Sequence, residues 1–230
     1  MLQYAGLIFW YLPAMDLASL FPPQVAWVIA TPEMWKTPVF PEEETLISQA
    51  MEKRKGEFRA GRHCAHTAMQ KLGGPGRPIL RDDKRAPVWP TGFLGSISHT
   101  SDFCLAACAS SEQLVGLGVD VEPLAPLKQG VDRYIHSTAE NAFMQSHPHL
   151  PERLIFSAKE SLYKCFYPLL KRYVGFHAVE IIVDSINEQF RYRPSNCTTD
   201  VPFPSHLRFY GRFLITTDHL LTCAYLTLDD

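Results

Sequence analysis

The sequence predicts an α+β fold, and two observations lead to that prediction. Apolar residues recur at helical spacing over residues 46–72, 138–147 and 153–172, a pattern typical of amphipathic helices. Short apolar segments bounded by turn residues lie within residues 102–122 and again after residue 177, which predicts strands. No internal repeat or linker is visible, and the Pro-containing stretch 123–126 is a plausible place for a division of the chain.

The composition is that of an ordinary globular protein of 230 residues, enough for one large domain or two modest lobes. Its 22 basic and 24 acidic side chains nearly cancel, so any anion-binding site must be local, and neither nucleic acid nor a membrane is an expected partner. The six cysteines lack the spacing of metal sites and are expected to be reduced thiols. The apolar start lacks a basic n-region, so we expect a cytoplasmic protein without a signal peptide.

The first predicted helix covers residues 46–72 and ends at the turn residues Gly73 and Gly74. Lys55, Arg59 and Arg62 form a basic stripe on this helix, away from its apolar side. The stripe is either a solvated helix face or an anion-binding face, and the helix alone does not decide between them.

The next segment reads as a hairpin, with "DFCLAACA" as one strand, "SSEQ" as the turn and "LVGLGVDVE" as the returning strand. Within "GVDVE", Asp120 and Glu122 point to the same face, about 7 Å apart along the strand. Two carboxylates at this distance repel each other unless they share a cation. A divalent metal site is one interpretation, and an exposed strand edge of alternating polarity is the other.

The turn "GSISHT" precedes the first strand of this hairpin. Ser98, His99 and the backbone N–H groups around them are suitable donors for a phosphate group. The same residues could instead hydrogen-bond their own backbone, as in an ordinary loop.

The helix "FSAKESLYKCFY" places Glu160 on one stripe with three aromatic side chains, and Lys164 lies at the edge of that stripe. Such a stripe normally faces the core, where an ionised carboxylate needs a cation or hydrogen bonds. Alternatively, Ser157 is the N-cap and Glu160 completes a capping box. The capping box leaves Lys159 and Lys164 unexplained.

Together these segments predict one site, in which Asp120, Glu122 and Glu160 bind Mg²⁺ beside cationic groups that bind phosphates. Mg²⁺ suits such a site because it binds through few carboxylates and takes its other ligands from water and substrate phosphates. The expected chemistry is phosphoryl-type transfer or hydrolysis.

The order and wording of the segments resemble one family. "EFRAGRHCAHTAM", "WPTGFLGSISHT", "GVDVE" and "FSAKESLYK" resemble the 4′-phosphopantetheinyl transferases of the double-length, Sfp-like kind, over about residues 50–167. The resemblance implies a monomer of two similar α+β lobes related by a pseudo-twofold axis, with the active site in the cleft between them. We expect lobes of residues 1–122 and 123–230.

The resemblance also implies the reaction. The enzyme would transfer the 4′-phosphopantetheine arm of coenzyme A to a serine of an apo acyl or peptidyl carrier protein, with Mg²⁺, releasing adenosine 3′,5′-bisphosphate. The carrier could belong to fatty-acid, polyketide or siderophore synthesis. Two rival functions stay open: a Mg²⁺-dependent nucleotide phosphohydrolase, and a non-catalytic module that binds coenzyme A or the carrier.

Residue roles follow from the matched motifs. Asp120, Glu122 and Glu160 match the metal-binding acids, and Glu160 also matches the group that takes the serine proton, directly or through water. Lys164 and His99 complete the predicted catalytic set. The predicted coenzyme A-binding residues are basic or polar: Lys53, Arg54, Arg62, Arg85, Ser98, His99, Lys159 and Lys164.

Overall fold

The computed structural model describes residues 14–195 and 206–229. The start of the chain and Cys197, both of which entered the sequence analysis, lie outside the described residues. The helices are α1 (Ala14–Leu20), α2 (Pro41–Thr45), α3 (Glu52–Lys71), α4 (Asp132–Ile135), α5 (Thr138–Ser146) and α6 (Leu154–Leu170). Short 3₁₀ helices cover Pro32–Trp35 and Phe176–Ala178.

The strands are β1 (Ala26–Ile29), β2 (Leu80–Arg81), β3 (Pro87–Val88), β4 (Phe93–His99), β5 (Cys104–Ser110), β6 (Gly116–Pro123), β7 (Val179–Asp184), β8 (Gln189–Pro194), β9 (Leu207–Ile215) and β10 (His219–Leu228). The helix and strand pattern confirms the predicted mixed α+β class. The strands predicted after residue 177 are present as β7 to β10, and the helices predicted near 138–147 and 153–172 are present with ends shifted by a few residues.

A three-stranded sheet, in the order β1-β5-β4, carries helix α3 on its outer face. The contact is made of small side chains, including Ala60, Cys64 and Ala65 from the helix and Ala106 and Cys108 from the sheet. Small residues on both surfaces let the helix lie close to the strands. Helix α3 begins at Glu52 rather than near residue 46, because residues 46–50 form turns between α2 and α3.

A five-stranded antiparallel sheet, in the order β6-β10-β9-β8-β7, carries helix α6 on its outer face. The inner faces of both sheets share one core. Leu105 and Ala107 of β5 enter this core together with Val119 of β6 and Leu221 of β10. Helix α1 adds Leu17 to the same core.

The predicted hairpin of β5 and β6 is wrong, because the two strands belong to different sheets. Strand β6 pairs along its whole length with β10, with Asp120 opposite Thr222. Only a short turn separates β5 from β6, and in a sequence such a turn indicates a hairpin. The true partner of β6 is β10, which lies far away along the chain and pairs with β6 over eight residues. The division after residue 122 stays a prediction; the strand pairing changes sheet between residues 110 and 116.

The two sheets meet where β4 lies beside β6, and serine hydroxyls complete the hydrogen bonding there. The N–H of Val119 donates to Ser96 Oγ at 3.0 Å, and the N–H of Val121 donates to Ser98 Oγ at 3.2 Å. Side chains of β4 thus satisfy two backbone donors of β6. This junction brings "GSISHT" against "GVDVE".

Helix α6 lies directly on β6 because of two glycines. Gly116 and Gly118 face the helix, and a Cβ atom at Gly118 would lie 1.9 Å from the carbonyl oxygen of Ser161. A backbone atom cannot move aside as a flexible side chain can, so only glycine fits at this position.

The Gly118→Ala variant is therefore expected to lose stability at the upper end of the roughly 1–3 kcal/mol that overpacking costs. Gly76→Ala is the matched control, since its Cβ would meet nothing within 4 Å. Urea unfolding of both variants measures the difference. Equal stability of the two would contradict the close approach of α6 to β6.

Among residues 14–195 and 206–229, no helix combines the length and the apolar character that crossing a bilayer requires.

Candidate active site

The site is built from β6 and the face of α6 that lies over it. Alternate residues of β6 face opposite sides, so Leu117, Val119 and Val121 enter the shared core. Asp120 and Glu122 have the same parity as Gly118 and therefore share its side of the strand. The motif "GVDVE" thus combines close helix packing with two carboxylates at the helix surface.

The Asp120 carboxylate is buried, with 4% of the residue exposed, and both of its oxygens accept hydrogen bonds. Lys164 Nζ donates to Oδ1 at 2.7 Å and Ser98 Oγ donates to the same oxygen at 3.0 Å. Ser157 Oγ donates to Oδ2 at 2.9 Å. Lys164 also donates to Ser98 Oγ and to the carbonyl of Val119, so it joins both sheets.

Glu122 accepts a short ionic hydrogen bond from Arg153 at 2.5 Å. Arg153 also donates to the carbonyls of Ala125 and Pro126, which fixes its guanidinium. Burial raises the pKa of Glu122 above its ordinary value, and the bond from Arg153 opposes that rise. Arg153 is the built-in counterion of Glu122.

Glu160 has neither a hydrogen bond nor an ion pair through its carboxylate among the described residues, although it is partly buried. Burial raises the pKa of Glu160; the Lys164 charge opposes the rise, and Asp120 and Glu122 add to it. Three acids therefore act on one another electrostatically at this site. A raised pKa makes Glu160 a better proton acceptor than an exposed glutamate.

The capping-box alternative for Glu160 is wrong. Helix α6 begins at Leu154, with Arg153 as N-cap, so Ser157 and Glu160 both lie inside the helix. The Ser157 hydroxyl bonds to Asp120 instead of to the backbone of Glu160.

The acids suit Mg²⁺ in chemistry, because they offer only oxygen atoms and their mutual repulsion favours a cation. The positions of their side chains, however, are not those of metal ligands. Within the described ranges, no group of three or more His, Cys, Asp or Glu side chains lies in an arrangement that could hold a metal ion. The predicted three-acid set of Asp120, Glu122 and Glu160 is therefore not in ligating geometry; Lys164 and Arg153 pair with two of the acids.

His99 lies at the end of β4 in a small polar cluster. Arg54 of α3 contacts His99 Nε2 at 2.8 Å and donates to Glu57 at 3.2 Å. Burial lowers the pKa of His99; the Glu57 carboxylate opposes this and the Arg54 charge adds to it. Ser98, His99 and Arg54 thus lie near Lys164, and their role in phosphate binding stays a prediction.

A cleft of about 250 Å³ adjoins this cluster between β4 and α6. Lys84, Arg85 and Lys164 give it positive charge, and three aromatic side chains line it: Trp89, Tyr163 and Tyr167. Tyr167 donates to Asp82 at 2.9 Å, which ties α6 to the loop that carries Arg85. Of the predicted arginines, Arg85 therefore lies in the cleft, as a coenzyme-binding role requires.

Lys159 does not lie with the other predicted coenzyme-binding groups. Its ammonium is buried, and its three protons have three acceptors: Glu140 at 2.7 Å and the carbonyls of Ile135 and Phe176. Helical spacing turns Lys159 away from the face that carries Glu160 and Lys164. Lys159 therefore forms a buried ion pair with Glu140, which the sequence pattern did not reveal.

Arg62 is also buried, with 6% of the residue exposed, and lies 3.5 Å from the carboxylate of Glu43. Burial lowers the pKa of Arg62 to about 10, so it stays charged at neutral pH. It stacks on Phe58 rather than facing the cleft, which does not fit direct coenzyme contact. Lys53 is exposed on α3.

Sequence reasoning missed Arg153 as a site residue and interpreted Ser157 only as a cap. A signal was available, since residues 153, 157, 160 and 164 follow i, i+4, i+7 and i+11 spacing on one helix face. Thr222, which contacts Ser157, gave no signal because the pairing of β10 with β6 cannot be read from sequence.

Two family models cover most of the chain. Residues 42–109 match the 4′-phosphopantetheinyl transferase N-terminal domain, and residues 116–224 match the 4′-phosphopantetheinyl transferase superfamily. The first match ends near the end of β5 and the second begins at the start of β6, on either side of the turn where the strands change sheet.

Three relatives agree with these models. The 4′-phosphopantetheinyl transferase PptT of Mycobacterium tuberculosis is 36% identical over 178 residues, 74% of this chain and 78% of that protein. The transferase Npt of Nocardia iowensis is 36% identical over 79% of this chain and 86% of that protein. Enterobactin synthase component D of Salmonella typhi is 36% identical over 55% of this chain and 53% of that protein.

These matches confirm the resemblance carried by the sequence motifs. The chain belongs to the 4′-phosphopantetheinyl transferase superfamily and is an enzyme that transfers phosphopantetheine.

Proposed function

We propose that this enzyme transfers the 4′-phosphopantetheine arm of coenzyme A to a serine of an apo acyl or peptidyl carrier protein, with Mg²⁺ bound at Asp120, Glu122 and Glu160. The observation that carries the proposal is the position of Lys164, which pairs with Asp120 and lines the basic, aromatic cleft, with Glu160 near enough to Asp120 for the two charges to interact.

Coenzyme A fits the chemistry of the cleft. Lys84, Arg85 and Lys164 are positive charges suited to its phosphates, and Trp89 offers a ring for stacking with adenine. A smaller and mainly apolar cavity of about 50 Å³ borders Glu160, with Tyr163, Tyr173 and Phe176 in its walls. It is suited to part of the pantetheine arm.

The transfer is a single displacement at phosphorus, in which one P–O bond forms and one breaks. The serine oxygen attacks the pyrophosphate phosphorus that carries pantetheine, the bond from that phosphorus to the bridging oxygen breaks, and adenosine 3′,5′-bisphosphate leaves. Glu160 takes the serine proton in this proposal, because its carboxylate has no ionic partner among the described residues and burial raises its pKa. Lys164 offsets the charge on the leaving oxygens.

A bound magnesium ion would add Lewis-acid stabilisation of the non-bridging oxygens. The ligation we propose requires the side chains of Lys164 and Arg153 to turn from Asp120 and Glu122 toward the phosphates. Magnesium keeps several waters, so these acids need not form a closed cage.

The experiment incubates the protein with coenzyme A, Mg²⁺ and a panel of apo carriers from fatty-acid, polyketide and siderophore synthesis. Intact mass is expected to show one added phosphopantetheine on at least one carrier, with one adenosine 3′,5′-bisphosphate released per arm. Chelation of the metal is expected to stop both products. Nucleotide release without a carrier would instead support a phosphohydrolase, and no turnover of any kind would support a non-catalytic binding module.

The likeness to enterobactin synthase component D supports siderophore carriers as part of that panel. A monomeric state is proposed as well, and size-exclusion chromatography with light scattering tests it.

A further inference from the structure

Behind Asp120 lies a pair of buried hydroxyl groups that the predicted mechanism does not use. Ser157 of α6 and Thr222 of β10 are both 0% exposed. Thr222 is the direct cross-strand partner of Asp120 in the β6–β10 ladder. Their side chains therefore lie on the same side of the sheet, where cross-strand neighbours make contact, and Ser157 bonds to both from the helix above.

Thr222 interrupts an apolar row. The residues of β10 that face α6 alternate along the strand, and Leu220, Ala224 and Leu226 all belong to the core under that helix. Only opposite Asp120 does the row contain a hydroxyl. Packing alone gives no reason for it, since Val has nearly the shape of Thr and makes the same apolar contacts.

The hydrogen bonds around these hydroxyls have a definite direction. Ser157 Oγ lies 2.9 Å from Asp120 Oδ2 and 2.9 Å from Thr222 Oγ1, and Thr222 Oγ1 lies 2.9 Å from the carbonyl oxygen of Ser157. These three contacts share two hydroxyl protons. An ionised carboxylate is the strongest acceptor, so Ser157 donates to Asp120, and the single hydroxyl proton of Thr222 is shared between the carbonyl oxygen and the Oγ of Ser157.

This arrangement fixes the Asp120 carboxylate at both ends. Oδ2 is tied to the buried Ser157 hydroxyl, while Oδ1 accepts from Ser98 and Lys164. A planar carboxylate held at both oxygens cannot rotate about its Cβ–Cγ bond without losing these bonds. Oδ1 is thus the oxygen held next to Lys164 and Ser98.

We propose that Ser157 and Thr222 are positioning residues for the transfer reaction: Thr222 orients the Ser157 hydroxyl, and Ser157 in turn holds the Asp120 carboxylate so that Oδ1 is presented to the active site. This inference rests on the proposed role of Asp120. It adds two buried residues, one on α6 and one on β10, to those with a role in the reaction.

The test compares Thr222→Val, which keeps the shape and removes the hydroxyl, with Thr222→Ser, which keeps the hydroxyl. Ser157→Ala removes the group that contacts Asp120 directly. Mutation of a residue that hydrogen-bonds to a metal ligand or a catalytic group typically lowers metal affinity or activity about 10–100-fold. We expect Thr222→Val and Ser157→Ala to lose kcat in this range, while the KM for coenzyme A stays within about threefold and Thr222→Ser keeps kcat close to wild type.

Binding of Mn²⁺ in the presence of coenzyme A, followed by calorimetry, gives a second readout. It should weaken about 10–100-fold in Thr222→Val and recover in Thr222→Ser. Thermal unfolding is measured for each variant, and kinetics are taken well below its midpoint. The inference is overturned if Thr222→Val matches wild type in both readouts, or if Thr222→Ser is impaired as much as Thr222→Val.

Asp120→Asn separates this inference from the proposed function. Full transfer activity in Asp120→Asn would refute the role of Asp120 itself. Loss of activity in Asp120→Asn, together with an unaffected Thr222→Val, would refute only the positioning role of the hydroxyl pair.

Discussion

Replacement of Glu160 by Gln is expected to reduce phosphopantetheine transfer by about 10²–10⁴-fold, the usual contribution of a general acid or base. The amide has nearly the same shape but does not take a proton from the attacking serine. The loss should appear in kcat, and kcat/KM for the carrier should fall in proportion. The measurement is the rate of holo-carrier formation by intact mass under saturating coenzyme A.

The same variant should not lose stability. The folded-state pKa of Glu160 is raised, first by burial, so its ionised form is disfavoured by folding. A raised carboxyl pKa contributes stability below the unfolded-state pKa, and that contribution is lost as pH rises through the folded-state pKa. At neutral pH without ligands, Glu160→Gln should therefore unfold at an equal or higher temperature than wild type.

The pH dependence of the rate provides a further check on Glu160. Because the ionised form accepts the proton, activity is present above the pKa of Glu160 and falls below it. Glu160→Gln should therefore lack the acidic limb that the titration of Glu160 gives to the wild-type profile. Glu112→Gln, an exposed turn residue, serves as the control and should behave as wild type. An active Glu160→Gln enzyme would contradict the assignment.

Much of this site could be predicted because its signals are local. Alternation along β6 places Asp120 and Glu122 on one side, and helical spacing places Glu160 and Lys164 on one face. These periodicities follow from backbone geometry alone. The predicted mixed α+β class and the presence of most helices and strands rest on the same kind of signal, whereas their ends differ from the prediction by a few residues.

The errors arose where distant parts of the chain meet. Strand β6 pairs with β10, about one hundred residues away along the chain, and not with its neighbour β5; a turn signal reports only on adjacent segments. Lys159 and Arg62 carry charges that suit a phosphate, yet each lies beside a buried glutamate from another helix. A sequence motif gives the charge of a residue but not its partner.

The last prediction concerns that first buried pair. Lys159→Met is expected to lower the free energy of unfolding by about 3–5 kcal/mol, the cost of leaving one charge of a buried pair uncompensated. Glu140 is fully buried and also accepts hydrogen bonds from the N–H groups of Ser137 and Ile181. It joins α5 and β7 to α6, so its unpaired charge would weaken all three elements.

Urea unfolding measures this cost, and Lys128→Met at an exposed position is the control. The double variant Lys159→Met with Glu140→Gln should recover part of the stability, because contacting residues are not additive and the buried charge is gone. If Lys159 instead bound the phosphates of coenzyme A, its loss would raise the KM for coenzyme A and leave the unfolding free energy unchanged. The three acceptors that enclose its ammonium favour the structural outcome, because the Lys159 side chain is only 1% exposed, whereas that of Lys164 is 26% exposed and can reach a ligand.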